Sequence, residues 1–230
     1  MNLLKKYRLD KIIIFLCIIS LFYLSPFTQL LLVRLLNWNV DKLSDIQSII
    51  LMTFSNTCLL IVYLLFYFKS IKKDLKTFLA NPMINLNTAL KYWLIGLGIM
   101  FVSNIIINIF NGQIAGNEQS VREMIKVMPW LLLVNAGLIA PFNEEIIFRR
   151  SLGDIFKNKW IFVFASFLLF GLAHVVGNIN SILDYLYIIP YGALGGVFAL
   201  AYRDTDSIIT SMIMHMFHNS FTILLLIFVA

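Results

Sequence analysis

The chain has 230 residues, of which 60% are hydrophobic and only 13% are charged, and its formal net charge is +6. This composition excludes a water-soluble globular domain, because the surface of such a domain would be too apolar. The Lys and Arg residues fall in short clusters between long apolar runs rather than along one face, which argues against a nucleic-acid partner and is typical of a protein that crosses a lipid bilayer.

The amino terminus has a basic start followed by an apolar run. This pattern resembles a secretory signal peptide, but the run is too long and lacks a cleavage site of small residues. We therefore predict an uncleaved first span. The two cysteines, Cys17 and Cys58, lie in separate apolar runs without the spacing of a disulfide framework or a thiolate metal site, and we interpret both as packing residues.

Seven stretches supply, or nearly supply, the roughly 20 mostly apolar residues that a spanning helix needs. Their approximate limits are 12–33, 46–68, 89–110, 129–156, 160–177, 182–202 and 207–229. The sixth is the least regular, because Pro190 and three nearby glycines could divide it, although Gly192 and Gly196 also form a small-x-x-x-small pair suited to close helix packing.

The predicted fold class is therefore all-α, a polytopic transmembrane helix bundle of about seven spans within a range of six to eight. The longest polar stretch, roughly 111–126, separates three spans in residues 1–127 from four in residues 128–230. We expect the two parts to form one integral membrane domain, since no soluble domain or internal repeat stands between them.

Orientation follows from the resistance of cationic residues to translocation. A cytoplasmic amino terminus places most of the Lys and Arg residues inside, namely Lys5, Lys6, Arg8, Lys11, Lys69, Lys72, Lys73, Lys76, Lys91, Arg149, Arg150, Lys157, Lys159 and Arg203. Only Arg34, Lys42, Arg122 and Lys126 then lie outside. The asymmetry predicts a multi-pass protein with its amino terminus in the cytoplasm.

The fourth span contains the adjacent acids Glu144 and Glu145 and, four residues on, Arg149. Charged residues near the centre of a span cost on the order of 2.5–3.5 kcal/mol each on insertion scales, so they are retained mainly for function. One alternative is that the helix ends near Asn143 and leaves an interfacial salt-bridged patch. The absence of a strong helix stop before Lys157 favours a helix that continues to about Phe156.

A hairpin of the fourth and fifth spans about residues 157–159 would place Glu144 level with His174, ~20 Å from the turn at 1.5 Å of rise per residue. Glu145 and Arg149 share a helix face and can pair, whereas Glu144 points about 100° away and is free to take up a proton. Pro141 removes a backbone hydrogen bond to Gly137, which favours a kink and a local site for water.

The seventh span contains His215, His218 and Asn219, with His215 and Asn219 on one helix face. We expect Asp206 and Ser207 to cap this helix and His215 to lie roughly 12–14 Å below its cytoplasmic end. Single polar residues of this kind often bridge helices instead, and His218 has no feature that separates it from such a residue.

Three motifs together resemble the CPBP family, which contains the CAAX-processing proteases and the bacteriocin-processing or immunity-associated enzymes called Abi proteins. They are Glu-Glu-x-x-x-Arg at 144–149, Phe-x-x-x-His at 170–174 and His-x-x-x-Asn at 215–219, and the resemblance covers roughly residues 128–225. It implies an intramembrane endopeptidase. Because the chain is small and compact, it looks more like a bacterial member of the family, located in the plasma membrane.

By this resemblance, Glu144 activates the attacking water and His174 assists it. His215 and Asn219 stabilise the oxyanion, and Glu145 and Arg149 support the site. These roles agree with what peptide hydrolysis requires, a base for water and donors where negative charge develops.

No cofactor is expected, because the His-Glu-x-x-His helix of zinc proteases is absent. A zinc-dependent version, with Glu144, His174 and His215 as ligands, is the alternative. The expected partners are the bilayer and a membrane-associated peptide or protein whose identity the resemblance does not supply. Two other functions stay open: a non-enzymatic immunity or scaffold protein, and a proton-coupled transporter, which the lack of an inverted repeat disfavours.

Overall fold

The computed structural model describes residues 3–229, with side chains from Leu9 to Val229. The side chains of Lys5, Lys6 and Arg8, which we assigned to the cytoplasmic side, lie outside this described part. Nine helices form the described chain: α1 (Leu3–Leu24), α2 (Phe27–Leu35), α3 (Asp45–Ala80), α4 (Pro82–Asn111), α5 (Gly116–Val127), α6 (Pro129–Ile155), α7 (Lys159–Val175), α8 (Ile188–Thr205) and α9 (Ile208–Val229). Short 3-10 helices occupy Val40–Lys42 and Ile182–Tyr187, and residues 3–229 contain no strand.

The predicted all-α membrane bundle is confirmed. In the described part of the chain, six helical segments are long and apolar enough to cross a membrane, and α7, with 17 residues, is a shorter apolar helix. The sixth predicted span does not break at Pro190. This proline lies in the first turn of α8, where a missing N–H removes no intrahelical hydrogen bond.

Helix α3 is longer than the span predicted within it. Its 36 residues rise ~54 Å, well beyond a hydrocarbon core of about 30 Å. Its start is fixed by a reciprocal capping box, in which the Ser44 hydroxyl accepts from the backbone of Gln47 and the Gln47 side chain accepts from the backbone of Ser44. The far end, with Lys69, Lys72, Lys73 and Lys76, therefore projects beyond the span predicted for residues 46–68.

Asp74, on this projecting end, organises the start of α9. Its carboxylate accepts from Arg150 Nη1 and from the backbone N–H of Ile208, both at 3.2 Å, and its carbonyl accepts from the Ser207 hydroxyl at 2.8 Å. We predicted that Asp206 and Ser207 cap α9, but the acceptor for its first N–H is the carboxylate of Asp74, and the Ser207 hydroxyl donates to Asp74 instead. Asp206 adopts a left-handed conformation (φ 48°) that ends α8.

Helices α7 and α8 form a closely packed antiparallel pair. A Cβ placed on Gly171 would lie 2.7 Å from the carbonyl oxygen of Ile188, and one on Gly195 would lie 2.9 Å from that of Ser166. Gly192 is equally tight against Phe167, but Gly196 has ordinary clearance of 3.7 Å. The predicted packing pair was thus half right: Gly192 and Gly195, rather than Gly196, let the two backbones approach. This contact sets the position of the carboxyl end of α7.

Candidate active site

Helix α6 carries the acidic pair between two π-helical segments, Asn135–Ile139 and Ile146–Ser151. It continues to Ile155, so the alternative in which it ends near Asn143 is wrong. Asn143 and the run from Glu145 to Arg149 are buried, while Glu144 alone in this stretch is partly exposed. The pair therefore lies inside the bundle, with the Glu144 side chain 14% exposed and its Oε2 atom buried.

The first π-helical segment, Asn135–Ile139, lies just before Pro141. Proline has no N–H to donate, so the regular hydrogen-bond pattern of the α-helix is interrupted here. The carbonyl of Gly137, which Pro141 cannot engage, accepts from the Ser220 hydroxyl at 3.3 Å. The neighbouring carbonyl of Ala136 accepts from Asn219 Nδ2 at 2.9 Å. We predicted a kink and a local site for water at the Gly137 carbonyl. In the structure α9 packs against this turn, and the Ser220 hydroxyl donates to that carbonyl.

Glu145 is fully buried and doubly paired. Its Oε2 lies 3.3 Å from Arg149 Nε, as the four-residue spacing predicts, and its Oε1 accepts from His215 Nδ1 at 2.8 Å. The Arg149 guanidinium, also fully buried, lies over the rings of Phe170 and Phe198, at 4.7 and 5.1 Å from their centroids. The bond between His215 and Glu145 was not predicted, because their sequence separation hides it.

Glu144 points away from that pair and faces two imidazoles. Its Oε2 lies 3.7 Å from His174 Nε2 and 3.7 Å from His215 Nε2. This oxygen makes no direct hydrogen bond within residues 3–229, and its side chain is 14% exposed. The predicted proximity of Glu144 and His174 across the hairpin is present, and the separation is one that a shared water molecule can bridge.

His174 is oriented by its own helix and by two aromatic rings. Its Nδ1 lies 2.9 Å from the carbonyl oxygen of Phe170, which only accepts, so Nδ1 carries the hydrogen and Nε2 presents its lone pair to Glu144. The imidazole is stacked between Phe170 and Tyr191, with centroids 4.3 and 5.0 Å away. Tyr191 was not predicted as a site residue. The one sequence signal at this position is that Tyr191 follows Pro190 in a glycine-rich stretch.

Asn219 and His218 make contacts of a different kind. The Asn219 amide is engaged by the carbonyl of Ala136, one turn along α9 from His215. His218 Nδ1 accepts from the indole N–H of Trp93 on α4 at 3.3 Å. The structure thus gathers Glu144, Glu145, Arg149, His174 and His215 in one cluster, and it places the amide of Asn219 on the backbone of α6.

The alternative ligand set for zinc does not match this geometry. Among the residues that the structure describes, no group of three or more His, Cys, Asp or Glu side chains is arranged to hold a metal ion. Ligand atoms of a tetrahedral zinc site with bonds of 2.0–2.1 Å lie about 3.3 Å apart. The 3.7 Å separations around Glu144 Oε2 are wider than that, so the three side chains do not form a fitted zinc site as they stand.

Sequence comparisons find similarity to other proteins over the part of the chain that carries this cluster. Residues 126–221 match the family described as Type II CAAX prenyl endopeptidase Rce1-like. YdiL of Bacillus subtilis (strain 168), provisionally named a membrane peptidase, is 28% identical over 117 residues, covering 50% of this chain and 44% of YdiL. The membrane-embedded CAAX protease MroQ of Staphylococcus aureus (strain USA300) is 29% identical over 135 residues, covering 54% of this chain and 51% of MroQ.

A third relative, the UPF0177 protein YvdC of Lactococcus lactis subsp. lactis (strain IL1403), is 28% identical over 135 residues, covering 56% of this chain and 49% of YvdC. The chain thus spans about half the length of the relatives it matches. No solved structure matches it. The matched residues include all three predicted motifs and every side chain of the cluster. Residues 126–221 of this membrane protein therefore form a domain of the Rce1-like family of CAAX prenyl endopeptidases.

Proposed function

We propose that this protein is an intramembrane endopeptidase that hydrolyses a peptide bond in a membrane-associated peptide or protein, with Glu144 as the base that activates water. One observation carries the proposal. Glu144 Oε2 faces the Nε2 atoms of two histidines at 3.7 Å, inside a stretch of α6 that is otherwise buried. A base, a reachable water position and a nearby donor are the groups that peptide hydrolysis needs.

The proposed reaction begins with a water molecule between Glu144 and His174. The carboxylate of Glu144 takes a proton as the water oxygen bonds to the peptide carbonyl carbon, and His174 Nε2 orients the same water. The carbonyl oxygen becomes an oxyanion. When the carbon–nitrogen bond breaks, Glu144 returns the proton to the leaving amine, and the new carboxyl group is released.

His215 is the proposed donor to the oxyanion. The buried carboxylate of Glu145 accepts from His215 Nδ1, and the Nε2 atom of the same ring lies 3.7 Å from Glu144 Oε2. In the proposed mechanism a proton on this Nε2 is donated to the oxyanion. Arg149 in turn compensates the charge of Glu145. Glu145 and Arg149 are therefore positioning residues, since both Glu145 oxygens face groups other than the proposed water.

Asn219 is better suited to positioning than to a direct contact with substrate. Its amide holds the Ala136 carbonyl in the π-helical segment that precedes Pro141. This contact fixes the path of α6 just before Glu144. We propose that Asn219 acts through this backbone contact rather than on the oxyanion.

The substitution Glu144→Gln tests the proposal, because it keeps the side-chain size and removes the base. Membranes from bacteria that express the wild-type protein should contain new peptide termini, detected by mass spectrometry of labelled amino termini. We expect Glu144→Gln to reduce their formation by roughly 10²–10⁴-fold, the contribution typical of a general base. The matched control is Glu123→Gln, which changes an exposed carboxyl group on α5.

The two competing functions predict different results from the same variants. If wild-type and Glu144→Gln membranes contain equal amounts of new peptide termini at equal protein levels, the hydrolytic mechanism is rejected. A non-enzymatic immunity or scaffold protein would keep its cellular phenotype in Glu144→Gln once protein levels are matched. An endopeptidase would lose the phenotype and the termini together.

A further inference from the structure

A groove lies between α1, the end of α6 and the first half of α7, and we call it the α1–α7 groove. Its volume of about 580 Å³ is within the usual range for ligand sites. All of its lining residues are apolar, and they include Ile12, Phe15, Leu152, Phe156, Phe164 and Leu168. A site without polar groups cannot orient a polar ligand, so its lining suits a hydrocarbon chain.

The groove has a buried floor and an open side. Leu152 at the floor is 2% exposed, whereas Ile161 and Phe164 on the α7 wall are 53% and 65% exposed. The lining positions of α7 recur at intervals of three and four residues, which places them on one face of the helix. Because α1 and α7 are apolar helices of a membrane protein, the open side suits contact with lipid.

Two lysines come together at one end of the groove. Lys11 directly precedes the lining residue Ile12, and Lys157 directly follows the lining residue Phe156. The Lys11 ammonium holds the pKa of Lys157 below its ordinary value, as like charges close together do. The hydrocarbon groove therefore ends at a pair of neighbouring cationic groups.

The charges of the lysine pair are not balanced by ion pairs. Neither lysine forms an ion pair with a carboxylate of residues 9–229, whereas Lys159, at the same turn, pairs with Asp204. Besides Lys11, the charged groups that act on Lys157 are the Arg203 guanidinium and the Asp154 carboxylate. Two cations and one acid thus surround Lys157, which favours an anionic ligand.

We propose that the α1–α7 groove binds an anionic phospholipid, with an acyl chain along α7 and the phosphate beside Lys11 and Lys157. The apolar lining matches the chain, and the two ammonium groups match the charge of the headgroup. A zwitterionic phospholipid would fill the groove but brings no net charge to the lysines. The groove is separate from the candidate active site, since Leu152 lies ~12 Å along α6 from Glu144 at 1.5 Å per residue.

Native mass spectrometry of the purified full chain in detergent micelles tests the headgroup contact. Phosphatidylglycerol and phosphatidylcholine with identical acyl chains are titrated separately, and the dissociation constant of each is measured. We expect tighter binding of phosphatidylglycerol. The double variant Lys11→Gln with Lys157→Gln should weaken that binding by about 30-fold, since each lysine near a headgroup contributes about 5-fold. Phosphatidylcholine binding should change little.

The matched control is the double variant Lys72→Gln with Lys73→Gln, which removes two exposed lysines of α3 that do not line the groove. It should retain the wild-type preference for phosphatidylglycerol. Equal affinity of the wild-type protein for the two phospholipids would overturn the proposal. An equal loss in the control variant would also overturn it, because the attraction would then be a property of the net charge.

Two further measurements test whether the groove holds the acyl chain. Ala165→Phe places a ring in the groove and should reduce binding of both phospholipids. Glycerol phosphate, which carries the negative charge without acyl chains, should not displace bound phosphatidylglycerol at equal concentration. Displacement by glycerol phosphate would show a free phosphate site instead and would overturn the proposal. Undiminished phosphatidylglycerol binding by Ala165→Phe would do the same.

Discussion

Glu144 and Glu145 are neighbours in the sequence but have different surroundings. The turn of the helix between them directs Glu145 to Arg149 and Glu144 to the fifth span, which is a consequence of 100° per residue and was predicted. His215 adds what spacing could not show. One imidazole contacts both acids, with Nδ1 on Glu145 and Nε2 facing Glu144. The same ring therefore lies between the acid that pairs with Arg149 and the acid that has no direct partner on its Oε2 among the described residues.

Arg149→Ala tests the burial of the pair. The substitution leaves the Glu145 carboxylate without its buried cation, and removing one partner of a buried ion pair costs about 3–5 kcal/mol. Arg122→Ala is a matched control, because Arg122 pairs with Glu118 at the same four-residue spacing with both side chains more than a third exposed. An exposed helical pair contributes about 0.3–0.5 kcal/mol. Free energies of unfolding from denaturant titration in micelles give both values, and equal losses would contradict the buried pairing.

Metal independence is a second prediction at this scale. The proposed mechanism uses a carboxylate base and imidazole groups, so cleavage by the purified protein should be unchanged after dialysis against a strong zinc chelator. A zinc-dependent enzyme would lose activity and regain it when zinc is added back. The measurement is the rate at which new peptide termini form in reconstituted vesicles, with and without the chelator.

At the scale of elements, the pair of α7 and α8 explains how His174 reaches the acids. Helix α7 is short, and its glycine contacts with α8 hold its carboxyl end against the rest of the bundle. The Ser166 hydroxyl donates to the carbonyl of Gly195 at 3.1 Å across the same contact. Because the stacking of Tyr191 on His174 depends on this packing, the orientation of the imidazole is a property of the helix pair.

Gly195→Ala and Gly196→Ala are adjacent changes that separate close packing from helix propensity. A methyl group at Gly195 would meet Phe170 and the carbonyl of Ser166, whereas one at Gly196 has room. We expect Gly195→Ala to lower the free energy of unfolding by about 1–3 kcal/mol, as overpacking usually does. Gly196→Ala should be neutral or slightly stabilising, because Ala favours helix more than Gly. A larger loss of unfolding free energy for Gly196→Ala than for Gly195→Ala would contradict the close contact of Gly195 with Phe170 and Ser166.

At the scale of the whole molecule, Asp74 connects parts of the bundle that are distant in sequence. Its carboxylate and carbonyl contact Arg150 of α6, the turn before α9 and the first residue of α9. Arg150 also donates to the Tyr202 hydroxyl on α8 at 3.3 Å. The long helix α3 therefore holds together α6, α8 and the start of α9 at one end of the bundle.

Asp74→Ala measures this connection. It leaves the Arg150 guanidinium and the N–H of Ile208 without their acceptor, and loss of a hydrogen bond to a charged group costs about 1.5–3 kcal/mol. Asp45→Ala removes an exposed acid from the first turn of the same helix, where the helix dipole contributes about 0.3–1 kcal/mol. The melting temperature in detergent should therefore fall more for Asp74→Ala than for Asp45→Ala. A larger fall for Asp45→Ala would exclude the connecting role of Asp74.

The amino-acid sequence by itself determined the all-α membrane bundle, the helical limits to within a few residues for the fourth, fifth and seventh spans, the pairing of Glu145 with Arg149 and the common level of Glu144 and His174. These features depend on apolar run length, helical rise and the angle between successive residues, which are local quantities. The division into residues 1–127 and 128–230 and the catalytic roles stay predictions.

Only the tertiary structure decided the partners that come from distant helices. The contacts of His215 with Glu145, Asn219 with Ala136, Tyr191 with His174 and Asp74 with Ile208 join residues more than a dozen positions apart. Helical periodicity fixes which face of a helix is polar, but not which neighbour that face meets. That choice depends on how the helices pack, and here the glycine contacts of α7 and α8 and the π-helical turns of α6 set it.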